Sequence, residues 1–321
     1  MPAPVRLGVV GLGAMGAEVL RVAATHPEFT VVRVFDVDPA AEDRVRAAHP
    51  TVAFARDLAE VVEGTDVDAV YFATPPAFHA EQVVAAITAG KAVFCEKPLA
   101  VDLADGRRMV EAVARHGVAA AVNFALSDRD GVLEVERRLT EVGEVRGVDL
   151  RLHFPRWPRH FQSHATWLAR AEQGGFVREV LSHFVYLTDR LLGPLTPVDV
   201  SVDRPLDDPG ASEVAARGFL RAGGVPVHVS AFSGIAGPEL YEWVLWGSKR
   251  SYMLRNWGEL LVSEGGDWTP VDPPGPRGSE ATRLSHFAQA IAGRHPRELA
   301  DFPSALRVQE VVEAFLTTPS P

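Results

Sequence analysis

An apolar run from Val5 to Val10 passes directly into Gly11-Leu12-Gly13-Ala14-Met15-Gly16, and an amphipathic pattern follows from Ala14 to Ala24. Glycines at this spacing constrain the fold more than any other feature of the chain. The first makes a tight turn, the second lets another group approach the backbone, and the third lets a helix pack closely on a strand. The rhythm then repeats. Thr30–Phe35, Ala69–Ala73, Ala92–Cys95 and Val118–Val122 read as strands, with a short one at Val52–Phe54. Pro39–Ala48, Leu58–Val62, Phe78–Ala89 and Leu103–Arg115 read as helices. The strands are continuously apolar, so both faces of their sheet are covered. Strands alternating with helices give an α/β, doubly wound parallel sheet of Rossmann type.

A helix that opens on this glycine turn presents free backbone N–H groups to an anion. Gly11, Leu12, Gly13, Ala14, Met15 and Gly16 are therefore the expected contacts of a dinucleotide. Asp36 ends the second strand 20 residues after Gly16. Its carboxylate can accept from both ribose hydroxyls and would repel a 2′-phosphate. No Arg or Lys lies between Asp36 and Pro39, so NAD is expected over NADP.

At 321 residues the chain is long for one core, which predicts two domains. The first is expected over residues 1–124 and the second over 125–321, with the last helices able to pack back on the first. The second half changes character. After a helical stretch at Asp130–Leu139, Gly143–Phe154 begins a strand, and Ala165–Leu192 reads as mostly helical, interrupted at Gly174-Gly175. Six further strands are expected between Val198 and Val262, a Pro/Gly loop at Pro270–Gly278, and helices at Glu280–Ala292 and Ser304–Leu316. That pattern predicts an α+β domain with an open, largely antiparallel sheet. A net charge of −10 argues against a nucleic-acid surface. The single cysteine, Cys95, excludes an intramolecular disulfide and any multi-cysteine zinc site. No His/Asp/Glu spacing suggests a metal site. Without a signal-peptide pattern or a membrane-length apolar run, a cytoplasmic protein with no membrane partner is expected.

One run stands out beyond the glycine loop. Val93-Phe94-Cys95-Glu96-Lys97-Pro98-Leu99 takes an apolar strand abruptly into an acid, a base and a proline. Together with Ala73-Thr74-Pro75-Pro76-x-x-His79 and the glycine loop, in that order, it resembles the glucose-fructose oxidoreductase / inositol dehydrogenase family (Gfo/Idh/MocA). The resemblance implies that Thr74 and Pro75 run beside the cofactor ribose and nicotinamide, with His79 opening the next helix near the same site. Glu96 matches an acid near the nicotinamide ribose. Lys97 matches the family's active-site lysine, and the peptide before Pro98 is expected to be cis. The chemistry is sound in its own right. When a hydride leaves an alcohol carbon a proton must also leave, and an ammonium near the oxygen stabilises developing alkoxide charge.

The family's other signature is a glycine turn followed by an aspartate and, four residues on, a histidine. Here Gly174-Gly175 leads to Glu179 and His183, which would share a face of a regular helix. Glu179 stands in place of the usual aspartate, Leu181 in place of a glycine, and Arg178 in place of an apolar residue. His183 is expected as the acid/base on the reacting hydroxyl, with Glu179 orienting it or binding substrate. Asn123, after the sixth strand, and Trp167, which resembles a family tryptophan before the glycine turn, are further expected substrate contacts. Arg156-Trp157-Pro158-Arg159-His160 combines cations with an aromatic, a composition that suits an anionic or sugar ligand. The expected function is NAD(P)-dependent hydride transfer at a secondary alcohol or ketone of a sugar, cyclitol or sugar-derived acid. Two rivals are an enzyme that uses NAD transiently for lyase or rearrangement chemistry, or reduces an imine or enone, and a cofactor-sensing regulator. A homodimer or homotetramer is expected from the resemblance.

Overall fold

The computed structural model describes residues 3–163 and 165–318. In chain order the first strands and helices are β1 (Val5–Val10), α1 (Ala14–Ala23), β2 (Phe29–Phe35), α2 (Pro39–Ala48), β3 (Ala53–Phe54), α3 (Leu58–Val62), β4 (Ala69–Phe72), α4 (His79–Thr88), β5 (Ala92–Cys95), α5 (Leu103–His116) and β6 (Ala120–Val122). There follow α6 (Asp130–Arg137), β7 (Val145–Phe154), α7 (Ser182–Leu192), β8 (Leu195–Asp203), β9 (Ala215–Ala222), β10 (Val225–Ser233), β11 (Leu240–Gly247), β12 (Ser251–Arg255), β13 (Glu259–Ser263), β14 (Thr269–Val271), α8 (Glu280–Ile291) and α9 (Phe302–Thr317).

The chain divides into two compact units. One runs to Phe124 and also takes Gly278–Leu306; the other comprises Ala125–Arg277 and the chain from Arg307. Helix α8 thus lies within the first unit.

In the N-terminal unit the six strands run parallel in the order β3-β2-β1-β4-β5-β6. Local chemistry sets the helix starts. Asp38, Asp57 and Asp102 each cap a helix by accepting a backbone N–H, from Ala40, Glu60 and Ala104 respectively. Each such cap contributes about 1 kcal/mol. Helix α8 opens with a capping box in which Ser279 and Thr282 exchange bonds. It covers the sheet with Phe287, whose ring centroid lies 5.1 Å from that of Phe94 and 6.3 Å from that of Phe29. The thiol of Cys95 is wholly buried and pushed well up by that burial, the state of an inert packing residue.

The second unit is built on an eight-stranded sheet in the order β14-β13-β12-β11-β7-β10-β9-β8. Only β7 and β10 pair in parallel; the other neighbours are antiparallel. Helix α7 packs on β8 and β9 and is buried along nearly its whole length. Trp243 of β11 donates through Nε1 to Thr188 Oγ1 at 2.9 Å. Arg307 pairs with Asp189, and Arg178 with Glu313 of α9.

One local reading changes, and another gains detail. The stretch Ala165–Leu192 is mostly helical and interrupted at Gly174-Gly175, as expected, but of mixed type: a 3-10 turn at Thr166–Ala169 precedes the glycines, and a π-helical turn at Val177–Leu181 leads into α7. Close backbone approach breaks the helix here. A Cβ on Gly174 would lie 2.4 Å from the Trp167 carbonyl, and Gly175 has φ +95°. The expected Pro/Gly loop begins with a strand instead, Pro270 standing opposite Leu261. An edge strand tolerates a residue without an N–H. Among the described residues no helix is long and apolar enough to cross a membrane. Nor does any group of three or more His, Cys, Asp or Glu among them suit a metal ion.

Candidate functional site

The glycine loop joins β1 to α1. Two of its glycines are explained by the protein itself. A Cβ on Gly11 would come within 2.7 Å of the Ala73 and Thr74 backbone, and Gly11 has φ +85°. A Cβ on Gly16 would sit 1.8 Å from the Gly11 carbonyl oxygen. Gly13 is different, because a Cβ there meets nothing within 4 Å. Gly13 is also the N-cap of α1, and no side chain caps that helix. Open space in front of an N-terminus without a side-chain cap is the cradle that a pyrophosphate requires. Exposed Ala14 and Met15 flank it, while Leu12 is buried. Asp36 stands at the end of β2 and ties the loop down. Its Oδ2 accepts the Leu12 N–H at 2.5 Å and its Oδ1 the Asp38 N–H at 2.8 Å. Each oxygen keeps lone-pair capacity for a ribose hydroxyl. These residues fit a dinucleotide.

The ends of β4 and β5 are joined by His79. Its Nε2 lies 2.8 Å from the Thr74 carbonyl oxygen and its Nδ1 3.0 Å from that of Pro98. Burial lowers the His79 pKa, with backbone hydrogen bonds from the same loops opposing the shift. The ring thus fastens the Thr74-Pro75 loop to the segment after Lys97. Thr74 also donates from Oγ1 to Gln82 Oε1 at 2.7 Å. The Lys97–Pro98 peptide is cis, and Lys97 is half-buried at the end of β5.

Behind Lys97 lies a polar network within the same unit that the sequence does not announce. Glu96 Oε1 accepts from the Tyr71 hydroxyl and, at 2.9 Å, from Asn123 Nδ2; its Oε2 receives the Lys97 N–H at 3.3 Å. Asn123 Nδ2 also lies 2.7 Å from the Tyr71 oxygen and 3.1 Å from Glu280 Oε2. Arg283 donates to Asn123 Oδ1 at 2.7 Å and pairs with Glu280. Burial pushes the Glu96 carboxyl up, Glu280 adds to the rise, and Lys97 opposes it. Burial likewise raises the Tyr71 phenol well above its ordinary range. Asn123, an expected substrate contact, thus has its amide committed to Glu96, Tyr71, Glu280 and Arg283.

In the second unit, Glu179 lies in the π-helical turn and His183 in the first turn of α7. Glu179 Oε1 accepts from Gln162 Nε2 at 2.8 Å, and Arg159 lies 3.6 Å from the same oxygen. Arg159 also donates to Gln162 and to the Tyr241 hydroxyl. Its guanidinium lies over the rings of Trp157 and Phe161. His183 Nδ1 accepts the Ala125 N–H at 3.2 Å, and its ring meets Trp257 edge-on with centroids 5.1 Å apart. Tyr241 and Phe184 pack on the same indole. Trp167 is half-buried, its carbonyl pressed toward Gly174. Arg178 turns inward to Glu313 and to the Ala171 carbonyl. Buried Glu213, on the segment before β9, accepts the Val177 N–H at 2.7 Å.

Residues 5–124 match the model of an oxidoreductase family with an NAD-binding Rossmann fold, GFO_IDH_MocA. Over 117 residues the chain is 42% identical to inositol 2-dehydrogenase 3 of Saccharopolyspora erythraea, a match covering 35% of this chain and 33% of that protein. It is 41% identical over 120 residues to the 1,5-anhydro-D-fructose reductase of Ensifer adhaerens, covering 37% and 35%. These matches thus span about a third of the length of those curated relatives. The fold is similar over its whole length to KijD10, a 3-ketoreductase of Actinomadura kijaniata solved with NADP and TDP-benzene. The TM-score is 0.84 at 22% identity, with 99% of this chain and 98% of that one covered. An oxidoreductase domain protein from Kribbella flavida gives a TM-score of 0.84 at 20% identity, with 98% and 96% covered.

Proposed function

We propose, for a chain whose residues 5–124 match the Gfo/Idh/MocA oxidoreductase family model, that it is an NAD(P)-dependent oxidoreductase acting on a CH–OH group or the corresponding ketone. One observation carries the reading: the Glu96-Lys97-Pro98 step ends β5 of the same parallel sheet whose β1 leads into the Gly11–Gly16 loop. The substrate class we favour is a sugar, cyclitol or sugar-derived acid. The names of the relatives over the N-terminal region support it, as do Arg159 and Gln162, which meet Glu179 in the second unit, with the Trp157 ring against Arg159. NAD is favoured over NADP because Asp36 presents a carboxylate where a 2′-phosphate would lie.

When bound, the nicotinamide supplies or accepts the hydride. The chain's own residues do the rest. The helix α1 N-terminus and the open space at Gly13 receive the pyrophosphate, and Asp36 takes the ribose hydroxyls. Lys97 Nζ stabilises negative charge on the reacting oxygen and exchanges its proton, a role that typically contributes 10²–10⁴-fold. In the second unit, His183 is assigned as an acid/base on substrate, and Glu179 acts on substrate hydroxyls together with Arg159 and Gln162. A cytoplasmic homodimer or homotetramer completes the reading, which sedimentation of the purified chain tests.

The deciding experiment incubates the protein with NAD or NADP and a panel of polyols, cyclitols and sugar acids, and follows absorbance near 340 nm. Turnover that falls about 10²–10⁴-fold in Lys97→Ala, with cofactor affinity retained, is the expected result. Tightly held cofactor cycling without net reduction would replace this reading with transient redox chemistry. Cofactor binding without chemistry on any substrate would replace it with a sensor.

A further inference from the structure

We propose that Met15 is a peroxide-sensitive modification site, whose oxidation to the sulfoxide closes the cofactor cradle. The inference rests on the dinucleotide reading of the Gly11–Gly16 loop; the accessibility of the sulfur stands on the N-terminal unit alone.

Sulfur is scarce in this chain, which has one cysteine and four methionines. Met15 is 41% exposed, whereas Cys95 and Met109 are both 0% exposed. Met253, on β12, is half-buried. Met15 therefore carries the most accessible sulfur among the described residues. A thiol must ionise before it reacts well, and buried Cys95 is kept from doing so. A thioether has no proton to lose, so access to the oxidant ranks the methionines.

Position gives that access a consequence. Gly13, Ala14 and Met15 are exposed in succession between buried Leu12 and buried Gly16. The Ala17 N–H bonds back to the Gly13 carbonyl at 2.9 Å and starts the helical ladder of α1. Ala14, Met15 and Gly16 precede it, so their N–H groups belong to the orphan set of a helix start. No side chain caps that start. These are the donors that the dinucleotide reading gives to the pyrophosphate. Helical side chains lean toward the N-terminus, which brings the Met15 thioether to the same mouth. A thioether is apolar, flexible and only a weak acceptor, and it yields to a phosphate. A sulfoxide is polar, and its oxygen accepts strongly. It competes with phosphate oxygens for the orphan N–H groups from within the chain, and the helix dipole favours its partial negative charge.

The step takes a peroxide as oxidant. A sulfur lone pair forms the S–O bond as the O–O bond breaks, so sulfur is oxidised and the peroxide reduced. The proton on the transferred oxygen passes to the departing hydroxide, which leaves as water. A thiol-dependent methionine sulfoxide reductase restores the thioether. A dinucleotide lying over the turn covers the sulfur, so the cofactor-free protein is the sensitive form.

The test treats the cofactor-free protein with hydrogen peroxide, with and without saturating NAD, and locates the added oxygen by peptide mass spectrometry. Met15 should be oxidised before Met109 and Met253, and bound NAD should slow the reaction at Met15. NAD affinity by fluorescence titration should fall at least about tenfold in the oxidised protein. It should return after treatment with a methionine sulfoxide reductase, while the melting temperature holds throughout. Met15→Leu cannot take the oxygen, so whatever its starting affinity, peroxide should leave that value unchanged. Equal peroxide sensitivity in Met15→Leu and wild type would overturn the proposal, as would earlier oxidation of Met253. If untreated wild type binds neither NAD nor NADP, the dinucleotide reading fails and takes this inference with it. NAD affinity that survives oxidation of Met15 fails the inference alone.

Discussion

Arg283 donates through Nε to the side-chain oxygen of Asn123 at 2.7 Å, and this bond fixes which way the Asn123 amide faces. With its oxygen turned to Arg283, the amide gives its protons to the side of Glu96, Tyr71 and Glu280. The carboxylate that receives the Lys97 N–H is therefore held from helix α8. Arg283→Met leaves Glu280 and Glu96 without that buried cation, which should cost about 3 kcal/mol in urea unfolding. Adding Glu280→Gln removes the stranded charge and should recover more than half of the loss. A double variant no more stable than Arg283→Met would sink the idea that charge pairing, rather than packing, ties α8 to β5.

The glycine loop makes a contrasting pair of predictions. Gly16→Ala forces a Cβ against the Gly11 carbonyl oxygen, and overpacking of this kind costs about 1–3 kcal/mol or more. It should lower the melting temperature with or without cofactor. Gly13→Ala meets open space, so folding stability should stay within about 1 kcal/mol of wild type. If the proposed cradle is right, its methyl group intrudes on the pyrophosphate, and NAD affinity measured by fluorescence titration should fall at least about tenfold. Wild-type NAD affinity in Gly13→Ala would mean that the open space is not the phosphate cradle.

These two cases also show what a single sequence can reveal. Gly11, Gly13, Gly16, Asp36 and Lys97 are legible because the geometry they need is local: a turn between a strand and a helix, and the ends of two strands. The network behind Lys97 is not. Tyr71, Glu96, Asn123, Glu280 and Arg283 come from four separate stretches, and only the packing of α8 beside β5 brings them together. Helical periodicity likewise cannot show the π turn, because a single turn of five residues is too short to display its period. Arg178 stands where the family pattern implies an apolar residue. Its partner, Glu313, lies 135 residues away, beyond the reach of any spacing rule.

On the proposed reading, Asp36 selects between NAD and NADP. Its two oxygens already order the loop by accepting from Leu12 and Asp38. Asp36→Ser keeps a short polar side chain but removes the charge. NAD binding should weaken because a ribose acceptor is lost, whereas NADP is relieved of repulsion. The ratio of the two dissociation constants should move toward NADP by about tenfold, equivalent to about 1.4 kcal/mol. Calorimetric titration of both cofactors measures it, and an unchanged ratio would remove Asp36 as the selector.

Glu213 carries a prediction about pH. Its Oε1 accepts the Val177 N–H at 2.7 Å, and its Oε2 is buried without a hydrogen-bond partner among the described residues. Burial is the largest influence on its carboxyl and pushes the pKa up, against the pull of the Val177 amide. A carboxyl whose folded pKa lies above its unfolded value favours folding while it is protonated. That contribution is complete below the unfolded value, about 4.3, and is lost as pH rises through the folded pKa. Glu213→Gln keeps the acceptor for Val177 and cannot ionise. At pH 8 the variant should be the more stable protein by about 1–2 kcal/mol, the scale of an unmet buried polar group. Near pH 4 the two proteins should converge. Thermal unfolding across that range decides it, and a gap that stays constant with pH would show that Glu213 does not titrate between the two states.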